Sequence, residues 1–168
     1  MVISLFDLER MNHYETASPW TSAPCNFTGE YTRAVDAKGR FNLPFRFRKA
    51  LPGNEEEKYV LTSSPEGALA LMPYATWLEN FNRVRQGPPS KERRQFLRMM
   101  SRASHEVTPD SQGRIAVPAR FLAAAGVSKK VTVVGVGDYM ELWNPESLPE
   151  ISTSPQEMNE QLSNEFFR

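Results

Sequence analysis

The feature that most constrains this chain is a twelve-residue stretch that it uses twice. The first copy reads Asp36-Ala-Lys38-Gly39-Arg40-Phe41-Asn42-Leu43-Pro44-Phe45-Arg46-Phe47, the second Asp110-Ser-Gln112-Gly113-Arg114-Ile115-Ala116-Val117-Pro118-Ala119-Arg120-Phe121. Asp, Gly, Arg, Pro, Arg and Phe coincide without a gap at one offset of 74 residues (110 − 36). The apolar pair after the first Arg also coincides, Phe41 and Leu43 against Ile115 and Val117. So many matches at one spacing make this an internal duplication, and the fold must accommodate two equivalent units.

Each copy reads as a hairpin turn, a strand and a helix start. An Asp side chain can accept from backbone amides two residues on, and Gly supplies a positive φ, so Asp36, Gly39, Asp110 and Gly113 are the residues that hold the turns. Phe41 and Leu43 then face one side of a strand, while Arg40 and Asn42 face the other. Pro44 ends the strand and suits the first turn of a helix, where its missing N–H costs nothing. Lys38 and Arg40 are thereby presented at the end of a rigid basic finger, with Gln112 and Arg114 as their counterparts.

The flanking residues repeat the same order. Residues 30–35 are expected to run as a strand into the first turn, with 41–43 returning from it and a short helix following over 44–51. A loop rich in Pro, Gly and Glu begins at Pro52, and two strands over 59–62 and 68–72 are joined at Ser64-Pro65-Glu66-Gly67. Tyr74, Trp77, Leu78, Phe81 and Val84 have helical spacing and read as a core-facing stripe. Gly87-Pro88-Pro89 breaks that helix, and Ser90 can cap the next. Glu106 and Val107 lead into the second turn, followed by a strand over 115–117, a helix over 118–125 and a hairpin of 131–136 with 140–143. Asn144-Pro145 is expected to start a last short helix before a loose polar tail. Residues 1–26 lack periodicity, and their Ser/Thr/Pro content reads as a flexible arm. Neither half has many core residues, so each is expected to complete its sheet with the other.

Charge separates the candidate partners. The net charge is zero, but the distribution is polarised. Arg33, Lys38, Arg40, Arg46, Arg48 and Lys49 cluster in the first half, and seven bases between Arg83 and Arg102 face Glu92 alone. From Glu141 onward the chain is acidic, with only Arg168 opposing. Such clustering matters more than the sum for a nucleic-acid partner. The run at 83–102 could contact nucleic acid, although a charge run on a helix commonly makes a solvated face.

No apolar run approaches the roughly 20 residues of a membrane span, and the start, with Asp7, Glu9 and Arg10, does not read as a signal peptide. A single cysteine, Cys25, and two histidines give neither a disulfide framework nor a zinc spacing. These features lead to the expectation of an intracellular protein without metal or cofactor. No nucleophile–base–acid set, phosphate-cradling loop or small-molecule site stands out, so an enzyme is not expected. Val134-Gly-Val-Gly137 lies in a hairpin pattern and is no dinucleotide fingerprint, and His105 beside a strand reads as structural.

The two signature turns, in the contexts "GEYTRAVDAKGRFNLPFRFR" and "DSQGRIAVPARF…VTVVGVGDYMELW", resemble the two halves of the MraZ family of bacterial transcriptional regulators. The resemblance covers roughly residues 27–145. It implies an α+β fold, with tandem AbrB-like swapped-hairpin units forming a pseudo-twofold β-core with flanking helices. The divisions expected are a flexible extension over 1–26, a first unit over 27–76, connecting helices over 77–103, a second unit over 104–147 and a polar tail over 148–168. The resemblance also implies a DNA-binding face at the two Asp-x-x-x-Arg turns, carried here by Lys38, Arg40, Gln112 and Arg114. It further implies a cytoplasmic, nucleoid-associated homo-oligomeric ring on double-stranded DNA. Its targets would be short direct repeats upstream of the cell-division and cell-wall gene cluster, its own promoter included. The alternative reading is a ring-forming scaffold whose basic turns bind an acidic protein partner.

Overall fold

A computed structural model describes residues 25–51, 56–150 and 160–166. Residues 1–24 of the arm expected over 1–26 and most of the loop after Leu51 lie outside these, while Cys25, inside the expected arm, is buried in the core.

Among the described residues, eight strands and five helices follow in order: β1 (Phe27–Ala34), β2 (Arg40–Asn42), α1 (Phe45–Arg48), β3 (Tyr59–Ser63), β4 (Leu69–Pro73), α2 (Tyr74–Arg85), α3 (Lys91–Ala103), β5 (His105–Val107), β6 (Arg114–Ala116), α4 (Ala119–Ala124), β7 (Lys130–Gly137), β8 (Met140–Trp143) and α5 (Glu160–Phe166). Six strands form one antiparallel sheet in the order β1-β7-β8-β4-β3-β5, while β2 and β6 pair only with each other. Exchanging the halves turns this order into itself read backwards, so the sheet has a pseudo-twofold between β8 and β4. The mixed helices and antiparallel sheet, with the units interleaved, are the α+β swapped-hairpin architecture.

Interleaving corrects the reading of each signature as a simple hairpin. β1 pairs over its whole length with β7 of the other half, from Phe27↔Gly137 to Ala34↔Lys130. β2 likewise leaves its own turn to pair with β6. A turn at Asp36 fixes only the local reversal; which partner each strand takes is decided by where its apolar face can be buried. Phe41 and Ile115, opposite one another in the β2–β6 ribbon, are 2% and 0% exposed. They join Leu43, Val117, Phe47, Leu61, Leu71, Val133 and Leu142 in a single core. Phe47, the last residue of the first signature, meets Phe27 and Tyr31 edge-on at 5.6 and 5.3 Å. Side chains of this size each contribute about 1.5–3 kcal/mol on burial, and the Phe41–Ile115 pair sets such burial between the halves, beside the β1–β7 ladder.

The helices depart further from expectation. Ser90 caps α3, its Oγ accepting from the Arg93 N–H at 3.0 Å. The stripe of α2, however, does not enter the main core, and neither α2 nor α3 contains a fully buried residue. Tyr74, Trp77 and Phe81 instead stack along α2, with centroids 6.3 and 4.8 Å apart. Trp77 Nε1 donates to Ser104 Oγ at the end of α3. Helical spacing shows that one face is apolar, not what covers it. At Asn144-Pro145 the expected helix is a single turn, in which Ser147 and Leu148 donate to the Asn144 carbonyl. The tail contains the short helix α5 where a loose segment was expected.

Candidate nucleic-acid interface

The two signature turns are built alike to within 0.1 Å. In the first, Asp36 Oδ1 accepts from the backbone N–H groups of Lys38 and Arg40, both at 2.9 Å, and Oδ2 accepts from Arg40 Nε at 2.8 Å. In the second, Asp110 Oδ1 accepts from Gln112 at 2.9 Å and Arg114 at 3.0 Å, and Oδ2 accepts from Arg114 Nε at 2.8 Å. Each carboxyl lies below its ordinary value, chiefly because of the backbone N–H of Arg40 or Arg114, with the arginine side chain and the intervening amide adding to the effect. One acidic residue thus closes the turn and aims the Arg. The pair is made through Nε, and a guanidinium carries further N–H donors beyond that one.

Gly39 and Gly113 have φ of +73° and +75°, a region costly for side chains with a Cβ. Their carbonyls tie the halves together: Gly39 accepts from Val117 N–H and Gly113 from Leu43 N–H, both at 3.0 Å. The two turns differ in what lies over them. A Cβ on Gly39 would sit 2.7 Å from the Val117 carbonyl oxygen and 3.1 Å from Leu122. Over Gly113 lies the guanidinium of Arg48, which is also paired with Glu57 at 3.0 Å. Arg48 and Leu122 are equivalent under the 74-residue offset. A cation from the first half therefore stands beside the second turn, which lacks the counterpart of Lys38.

Antiparallel pairing of β2 and β6 sets Arg40 opposite Ala116 and Asn42 opposite Arg114, with Phe41 and Ile115 between them. Since alternate residues face opposite sides, burial of Phe41 and Ile115 turns Arg40, Asn42, Arg114 and Ala116 outward together. Arg40 and Arg114 are diagonal neighbours on that face, about 7–8 Å apart at Cα. Lys38 and Gln112, both exposed, lie at opposite ends of the ribbon because its strands run in opposite directions. What the sequence suggested as two fingers is one continuous face. The polar–apolar alternation after Arg40 already set Asn42 on its side of the strand; that Asn42 and Ala116 share one face with both arginines follows only once β2 and β6 pair.

The basic helix α3 stands apart from the ribbon. Its Arg98 and Arg102 join Arg120 of α4 along a groove that also contains Met99. Phe96 and Met99 remain 43% and 55% exposed. Among the described residues there is no cluster of side chains able to hold a metal ion, and no helix is long and apolar enough to cross a membrane.

Comparison with known proteins agrees with this duplicated architecture. The family described as MraZ protein, antitoxin-like, matches residues 26–99 and again 100–165. Proteins named transcriptional regulator MraZ from Leuconostoc citreum, Mycobacterium tuberculosis and Mycobacterium ulcerans are each 38% identical over 122 residues, covering 72% of this chain and 82% of theirs. The tandem match, falling on the two interleaved halves, and this extent of identity establish that the chain belongs to the MraZ family of transcriptional regulators, and not to an enzyme family.

Proposed function

We propose that this protein is a sequence-specific DNA-binding regulator whose β2–β6 ribbon enters the major groove. The observation that carries the reading is the pair Arg40 and Arg114, each held by its own Asp and turned outward on one exposed face. The major groove admits a two-stranded ribbon, and an Arg fork fits the O6 and N7 acceptors of guanine. In this reading Lys38 supplies phosphate contact, Gln112 a neutral hydrogen-bonding contact, and Asp36, Gly39, Asp110 and Gly113 hold the turns in register. The protein acts in the cytoplasm on the nucleoid, repressing the cell-division and cell-wall gene cluster through short direct repeats upstream of its own operon.

One ribbon makes few phosphate contacts, so useful affinity calls for several copies engaging successive repeats as a tethered array. The reading therefore includes a homo-oligomeric ring. The α2–α3 hairpin supports it: two helices with Leu78, Phe96 and Met99 exposed and no residue fully buried are half of an interface. Short helices draw most of their stability from packing an apolar face.

Fluorescence anisotropy with duplexes carrying or lacking the upstream repeats, beside light scattering of the free protein, tests both parts. Tighter binding to the repeat duplexes by an oligomer is expected. Equal affinity for scrambled duplexes, or a monomer at micromolar concentration, would overturn the corresponding part.

A further inference from the structure

We infer that Asn42 is a base-reading residue, recognising an adenine edge beside the base met by Arg114. The inference rests on the DNA-binding reading above and adds to it the residue that selects a second base.

Four observations carry it. Asn42 is exposed and lies directly opposite Arg114 on the outward face of the ribbon, with the two Cβ atoms about 5 Å apart. Arg40 is two residues away on the same side of β2. The Asn amide presents a donor and an acceptor together, the pattern that matches N7 and N6 of adenine in the major groove. At that separation a side chain beside Arg114 reaches the same or the next base pair, since stacked bases are about 3.4 Å apart.

Outward alternation accounts for a solvent-facing residue at 42 but not for Asn in particular. Asn is depleted in strands, and Asn42 is not a helix cap, because α1 has Pro44 at its N-cap position and no side-chain cap. The pseudo-twofold supplies the internal control. The equivalent position in the second half is Ala116, opposite Arg40, in a strand of the same length and burial pattern. The fold thus accepts a methyl group at this place. Asn at one twin and Ala at the other gives the two ends of a nearly symmetric ribbon different chemistry. Ala116 can meet a thymine methyl, which Asn42 cannot do equally well. The arginine pair alone would read the same in both directions; Asn42 and Ala116 give the face a direction.

The test is selection from a pool of duplexes with a randomised core, using full-length wild type, Asn42→Ala and Asn42→Gln, each checked for unchanged oligomer size. Wild type is expected to prefer adenine at one position of its selected sequence. Asn42→Ala should lose that preference by roughly 5- to 150-fold (about 1–3 kcal/mol), with the other positions and the salt slope retained. Asn42→Gln, which keeps the amide on a longer arm, should restore part of it. A merely structural Asn would weaken all sequences alike. An Asn42→Ala profile identical to wild type, or a uniform loss that Gln does not relieve, overturns the role of Asn42 while leaving the DNA reading intact. A wild-type protein that selects no sequence overturns both.

Discussion

Replacing three of the positive-φ glycines, Gly67, Gly113 and Gly39, by Ala should give a graded series of stability losses. Gly67 has φ of +90° and nothing within 4 Å of where its Cβ would stand. Ala there meets only the left-handed backbone cost of about 1–2 kcal/mol. At Gly113 the same cost applies, but the obstruction is the mobile end of Arg48. Displacing that guanidinium sacrifices a partly exposed pair with Glu57 worth about 0–1 kcal/mol, for a total of about 1–3. At Gly39 the obstruction is backbone, the Val117 carbonyl oxygen at 2.7 Å. Relieving it pulls apart the Val117 N–H···O=C Gly39 bond. Val117 is 3% exposed, and a buried amide left unpaired costs about 1–3 kcal/mol, so the total is about 2–5. Urea unfolding at one fixed protein concentration, which keeps any association constant across the series, should rank the losses as Gly39, then Gly113, then Gly67. In thermal scans each kcal/mol should appear as about 2–4 °C. Gly39→Ala no worse than Gly67→Ala would refute the close approach of the two halves at the first turn.

Other consequences are as specific. Phe41→Ala should cost about 3–5 kcal/mol in urea unfolding, because Phe41 is buried where the ribbon meets the sheet; a loss under 1 kcal/mol would contradict that packing. Asp36 and Asp110 have folded-state values below the ordinary 3.8. Their stabilisation is therefore complete well above pH 3.8, declines as pH falls past it, and is lost below the folded-state values. Wild type should thus exceed the double variant Asp36→Asn, Asp110→Asn by a constant margin from pH 7 to 5, shrinking below pH 4; a margin that grows on acidification would reverse the sign. Lys38→Ala should flatten the dependence of log affinity on log salt by roughly 0.9 for each phosphate contact removed. Gln112→Ala should leave that slope unchanged, its loss falling on preferred sequences; the opposite split would exchange the two roles.

The duplicated signature made much of this legible in the chain itself. Asp36, Gly39 and Arg40 could be read as turn chemistry because each acts within four residues of the others, and the same holds for Ser90 as a cap. Strand existence was equally local, since Phe41 and Leu43 alternate with polar residues. Pairing was not local. That β2 takes β6 and β1 takes β7 depends on burying Phe41 against Ile115 across the halves, and the turn residues by themselves favour an ordinary hairpin. The few core residues of each half already implied a shared sheet, and the resemblance to a swapped-hairpin family implied the exchange; the particular partners did not follow from the residues. The same limit applies to α2: Trp77 and Phe81 have core spacing, yet they stack on their own helix beside α3, because the sheet's core is already filled by Phe47, Leu71 and Met140. At the interface, Lys38 and Arg40 were visible as a basic tip. Asn42 beside Arg114, and Arg48 over Gly113, became visible only with the strands paired.

The most direct test of the continuous reading face is the ratio of affinities for repeat-bearing and scrambled duplexes, measured for wild type, Arg40→Ala and Arg114→Ala at one salt concentration. Both arginines are partly exposed and held by the same Asp contact, so neither truncation should unfold the protein or change its oligomer size. If the two ends of the ribbon read one stretch of groove, each variant should lose roughly 5- to 150-fold in the ratio per protomer engaged, and the two losses should be comparable. A full loss from Arg40→Ala beside an unchanged ratio for Arg114→Ala would contradict the single face and leave the first turn as a finger acting alone.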